Sequence, residues 1–165
     1  MKKVLTLSLL ITFSIGIFSC SKEGPAGPQG NANVHSRTIT ISPSDWYHVG
    51  TAGSAGDAYR ADKSDADITS SIASSGAVLA YVSSDNATWF SLPQTAPFAT
   101  WSESINIVYS SGTVSTIIQD SDFLTVAPSA PLYLKVVTVA NSGMVEHSTT
   151  DWSNYQEVSA LYNLD

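Results

Sequence analysis

The chain has a single cysteine, Cys20, and it comes before almost everything that could fold. No disulfide can form within the residues behind it. A domain built from them must hold together through an ordinary apolar core. Cys20 also stands directly behind an apolar run. Lys2 and Lys3 open the chain, residues 4–18 are mostly apolar, and small Ser19 precedes the cysteine. A secretory leader needs a positive start, an apolar stretch of about 7–15 residues and small residues at the cut. The run is shorter than the roughly 20 apolar residues that cross a bilayer, and no second long apolar run follows. The expectation is a leader over residues 1–19, cleaved to leave Cys20 as the new N-terminus.

The tetrapeptide Ile17-Phe18-Ser19-Cys20 resembles the lipobox of bacterial lipoproteins, with Phe18 bulkier than the residue usual at its place. The resemblance implies a diacylglycerol thioether on Cys20, usually with a further acyl chain on the amino group. Lipidation accounts for a lone thiol in an oxidising compartment, where an unpaired cysteine asks for an explanation. One acyl chain holds a protein weakly, and more than one anchors it durably. The plain alternative is a secreted chain with a free Cys20.

Behind Cys20 come Ser21-Lys22-Glu23 and then Gly24-Pro25-Ala26-Gly27-Pro28-Gln29-Gly30-Asn31-Ala32, three G-X-Y triplets. Collagen needs glycine at every third position because only glycine fits the axis of the triple helix. So few triplets cannot hold one, although a weak trimerising role is the rival reading. Residues 20–33 read as a lipidated cysteine and a stiff polyproline-type spacer, ~40 Å long at about 3.1 Å per residue. Ser21-Lys22-Glu23 resembles signals that sort some lipoproteins to the outer face of the outer membrane. A solvated linker start is the alternative.

Residues 34–165 are long enough for one domain with a real core. The chain carries 7 Lys and Arg against 14 Asp and Glu, a formal charge of −7, and loss of Lys2 and Lys3 makes it more acidic. Nucleic-acid binding needs a basic patch, so no nucleic-acid partner is expected, nor a polybasic hold on lipid.

The local signals are short β-branched and aromatic runs bounded by Gly, Pro, Asn and Ser, which mark strands. They predict strands at 34–41, 45–49, 58–61, 77–83, 88–92, 104–109, 113–119, 132–140 and 144–148. Ile39 and Ile41 share one face, and residues 50–56 form a flexible loop. The run at 77–83 is apolar on both faces, as in a central buried strand. Gly112 supplies the positive φ that a tight hairpin turn needs. Asp67 is expected to cap a short helix carrying Ile68 and Ile72 and ended by Gly76. Ser153-x-x-Gln156 reads as a capping box, with Tyr155, Val158, Leu161 and Tyr162 forming one apolar stripe behind it. The fold class is mainly β: an antiparallel β-sandwich-like single domain with one or two short helices, behind a leader and tether.

The cysteine, the linker GPAGPQG and the pattern GAVLAYVSS, TWFSLPQT and YLKVVTV together resemble bacterial envelope lipoproteins with collagen-like linkers. The resemblance spans most of the chain behind Cys20. It implies a surface lipoprotein with a β-rich domain, and no activity.

Catalysis leaves no trace in the sequence: there is no G-x-S-x-G, H-E-x-x-H, P-loop or C-x-x-C. His35, His48 and His147 stand apart without metal-ligand spacing. Asp57, Asp62, Asp65 and Asp67 cluster and could offer oxygen to Ca²⁺, but the spacing is not that of an EF-hand and Lys63 interrupts it. A solvated loop with an N-cap is the expectation, and no cofactor or metal is expected. Trp46, Trp89 and Trp101 are candidate ligand-contact aromatics, since flat rings stack on sugars, although large aromatics more often sit in cores. The expected function is that of a non-catalytic binding or structural module, not an enzyme. It is expected to be lipid-anchored in the cell envelope, in the outer membrane, with the domain either on the cell surface or in the periplasm. A protein or glycan is the expected ligand. A glycan-binding module is the alternative, and a hydrolase ranks below it.

Overall fold

The computed structural model describes residues 33–142 and 149–164. The leader, Cys20, the Gly-Pro triplets, the strand expected at 144–148 and His147 lie outside the described residues. Two antiparallel sheets make the body. One has the order β1-β9-β4-β5, from Val34–Ile41, Leu132–Val139, Ala77–Ser83 and Phe90–Ser91. The other has the order β2-β3-β8-β7-β6, from Tyr47–Val49, Ala58–Ser64, Thr113–Asp120, Ser102–Ser110 and Gln94–Pro97. Two helices, α1 (Ser70–Ser75) and α2 (Tyr155–Tyr162), complete the described elements.

The alternation of strand side chains sets the core. Ile41 from β1, Ala80 from β4, and Leu134 and Val136 from β9 meet Ala61 from β3 and Val114 and Ile118 from β8, all buried between the sheets. The opposite face of the first sheet is covered as well. There Val34, Tyr81, Val137 and Val139 pack with Val158 and Tyr162 of α2. Burial on both faces is why β4 and β9 read as nearly continuous apolar runs. Each fully buried Val, Leu or Ile contributes about 1.5–3 kcal/mol relative to exposure.

Several expected boundaries move, each for a local reason. The segment 45–49 does not begin as a strand. Pro43–Asp45 makes a 3-10 turn in which the Asp45 carboxylate accepts from the Ser42 N–H at 2.6 Å and pairs with Lys63 at 2.6 Å. Ser102–Ser110 and Thr113–Asp120 form the expected hairpin, with Gly112 at φ 81°. Residues 88–92 yield only Phe90–Ser91, because Thr88 is held in a turn by the Asp85 carboxylate. The helix after β3 is capped by Thr69, whose Oγ1 accepts from Ile72 N–H at 3.2 Å. Asp67 does not cap it, because its N–H turns back to Asp65 Oδ1 at 3.0 Å. In α2 the cap is Asn154 and not Ser153, whose hydroxyl donates to Asp151 at 2.6 Å. Within the expected stripe Leu161 is exposed, while Val158 and Tyr162 are buried.

Candidate functional site

Three loops meet at one end of the second sheet. Residues 50–57 join β2 to β3, residues 98–101 join β6 to β7, and residues 121–131 leave β8. Backbone bonds tie them together. Gly53 N–H donates to the Phe123 carbonyl at 2.9 Å, and Ser121 N–H to that of Ser102 at 2.9 Å. The Gln119 side-chain amide donates to the Ala55 carbonyl at 2.9 Å. Gly50, at φ +79°, lets the 50–57 loop close on itself: a Cβ there would lie 1.9 Å from the Gly56 carbonyl oxygen.

Beneath the loops runs a buried polar network. Asp57 is 1 % exposed; its Oδ1 meets His48 Nε2 at 2.5 Å, and its Oδ2 accepts from the Thr125 N–H at 3.0 Å. The His48 hydrogen bond holds the Asp57 carboxyl below its ordinary value, with the Thr125 N–H helping against burial. The Thr125 hydroxyl donates to the Asp57 carbonyl at 3.1 Å and accepts from the Asp120 N–H at 3.0 Å. His48, which stands alone in the sequence, thus gains an acidic partner across the β2–β3 connection.

Above this network the loops show apolar side chains to solvent. Phe98 is 51 % exposed, Phe123 37 %, Leu124 64 % and Val126 73 %. Phe98 and Trp101 stack on each other, with centroids 4.1 Å apart and planes at 17°. Isolated exposed apolar residues are ordinary; here four of them lie on loops at one end of the sheet. Sequence reading missed this face: Phe123, Leu124 and Val126 belong to no periodic run, and only the shortage of charge in residues 121–131 could have marked them.

The three singled-out tryptophans do not come together. Trp46 is buried between the sheets, so its ring faces no ligand. Trp89 packs against the helix-covered face, where the Lys135 ammonium lies 4.6 Å from its ring centroid and donates to the Tyr155 hydroxyl. Trp101 alone belongs to the loop end, half-buried. The acidic run also disperses. Asp62 takes Tyr47 and Arg60 at 2.8 and 2.7 Å on the outer face of the sheet, while Asp65 is buried beside the Gly112 turn. Among the described residues no three His, Cys, Asp or Glu side chains are grouped to hold a metal ion. His35 lines a shallow depression with Asp67, Thr69 and Ser71, and among the described residues no hydrogen bond joins it to any of them.

The arrangement can present a firm apolar surface. Compared with known proteins, the chain matches no protein-family model, no curated protein and no solved structure.

Proposed function

We propose that this chain is a non-catalytic binding module, held at the cell envelope through lipid on Cys20, and that the loop end of the sandwich is its binding face for a protein partner. One observation carries the reading: exposed Phe123, Leu124 and Val126 sit on a loop fixed from below by the Asp57–Thr125–Asp120 network, at the same end of the sheet as exposed Phe98. A surface ordered before binding loses little conformational entropy on contact. The glycan reading draws on Trp101 alone. Trp101 stacks face to face on Phe98, not in the side-by-side platform that sugars favour.

Two measurements test the reading separately. A Cys20→Ala chain is expected in the soluble fraction and wild type in the membrane fraction; an unchanged membrane fraction for the variant rejects the anchor. Protease shaving of intact cells then reports exposure. For the face, wild type and a Phe98→Ser/Leu124→Ser/Val126→Ser chain are each immobilised and offered envelope extract and a glycan array. Protein retained by wild type and lost by the variant supports the proposal. Equal retention moves the face elsewhere, and a glycan signal lost on Trp101→Ala favours the alternative.

A further inference from the structure

The sheet register brings three acids into one row. Glu103 in β7 lies directly opposite Asp120 in β8. In β3, Tyr59 lies opposite Ile118, so Asp57, two residues earlier, comes level with Asp120. Residues two apart in a strand share a face. Tyr59, Ile105 and Ile118 pack into the core between the sheets, so the carboxyls continue that face toward the loops. Both Asp57 oxygens are taken, by His48 and by the Thr125 N–H. Among the described residues Asp120 Oδ1 is buried with no hydrogen-bond partner, in a residue only 6 % exposed.

Like charges directly opposite in a ladder repel, and a buried unpaired carboxylate is costly. Burial raises the Glu103 carboxyl, and Asp120 adds to it. Burial also raises Asp120, with Asp122 and Asp57 adding. The groups bearing on the pair are thus Asp57 from the β2–β3 loop and Asp122 from the loop after β8, with His48 of β2 hydrogen-bonded to Asp57. Among the described residues no cation acts on either carboxyl.

We propose that Glu103 and Asp120 are a proton-binding pair that fastens the loop end: one proton held between them gives Asp120 Oδ1 its missing hydrogen bond, and losing it as pH rises loosens residues 121–126. Both carboxyls bind protons more tightly folded than unfolded. Their contribution is therefore full below the ordinary carboxyl values near 4 and is lost as pH climbs through the raised folded values. Asp57 has the opposite sign, with stability present above its ordinary value and lost as pH falls through its lowered one. Stability should peak between the two.

The test is a carboxyl-carbon NMR titration of the full chain, read together with the Thr125 amide shift. Asp120 is expected to titrate above the ordinary aspartate range and to move the Thr125 amide with it. Glu103→Gln should bring the Asp120 midpoint down. Asp120→Asn should flatten the fall in stability on the alkaline side and raise the unfolding midpoint at pH 7.5 by roughly 3 °C. Ordinary midpoints for both carboxyls, or an Asp120 midpoint indifferent to Glu103→Gln, would overturn the proposal. Should a variant fail to fold, the wild-type titration decides alone.

Discussion

The two ends of this domain's chemistry lie on different sheets. On the helix-covered face of the first sheet, Val137, Val139, Val158 and Tyr162 exclude water, and polar groups are enclosed by aromatics. Tyr81 is fully buried there, its ring 4.6 Å from Tyr155 and its hydroxyl donating to the Trp152 carbonyl at 3.2 Å. Burial pushes its phenol up to about 12, so it stays neutral throughout the physiological range. At the loop end of the second sheet the order is reversed: the carboxyls of Asp57 and Asp120 are inside, and Phe98, Leu124 and Val126 are outside. A face with apolar residues inward is finished by its own folding. One with acids inward and apolar residues outward is not finished in that sense: among the described residues Asp120 Oδ1 is buried without a hydrogen-bond partner, and the apolar side chains meet water.

That contrast is broken most severely by Tyr81→Ala. Removing a buried aromatic costs about 3–5 kcal/mol through lost transfer energy and the cavity left behind, and α2 should detach with it. Tyr81→Phe, which keeps the ring, should cost about 1 kcal/mol. Denaturant unfolding measures both. Equal losses would mean that the Trp152 hydrogen bond, not packing, holds the helix. Gly50→Ala should come next, at about 1–3 kcal/mol, because its Cβ would meet the Gly56 carbonyl oxygen at 1.9 Å in a left-handed backbone. Its effect should stay local. Amide exchange is expected to rise in residues 50–57 and 121–126 and to remain unchanged in β9. Faster exchange in β9 would show that the loop end and the helix-covered face unfold as one unit.

The same contrast explains which parts were legible in the sequence. Ala77–Ser83 and Leu132–Val139 declared themselves because sheet and helix cover both their faces, leaving unbroken apolar runs. The caps were misplaced by one or two residues, since Asp65 and Asp151 draw neighbouring groups into turns that no periodicity reveals. The four-residue strand Gln94–Pro97 was missed because it is short, lies at a sheet edge, follows Pro93 and ends on Pro97. Asp57, Glu103 and Asp120 are far apart in the chain, and only the pairing register makes them neighbours. His48 was more accessible. Closing a hairpin over residues 50–57 sets His48 opposite Tyr59 and brings Asp57 within reach.

The smallest predicted effect on stability is also the sharpest test of the comparison. Leu161 on α2 and Leu124 in the loop are both exposed leucines, at 38 % and 64 %. Neither fills a core, so Leu161→Ser and Leu124→Ser should each change stability by no more than about 0.5 kcal/mol. Exposure alone would make them equivalent in every assay. If the loop end is a surface completed only by a partner, they must differ in one respect: Leu124→Ser weakens capture from envelope extract and Leu161→Ser does not. A leucine loses its transfer energy only where a partner would have covered it, about 25 cal/mol for each Å² of apolar surface. Equal binding losses would place the partner across both faces; none in either would leave Leu124 an ordinary exposed residue.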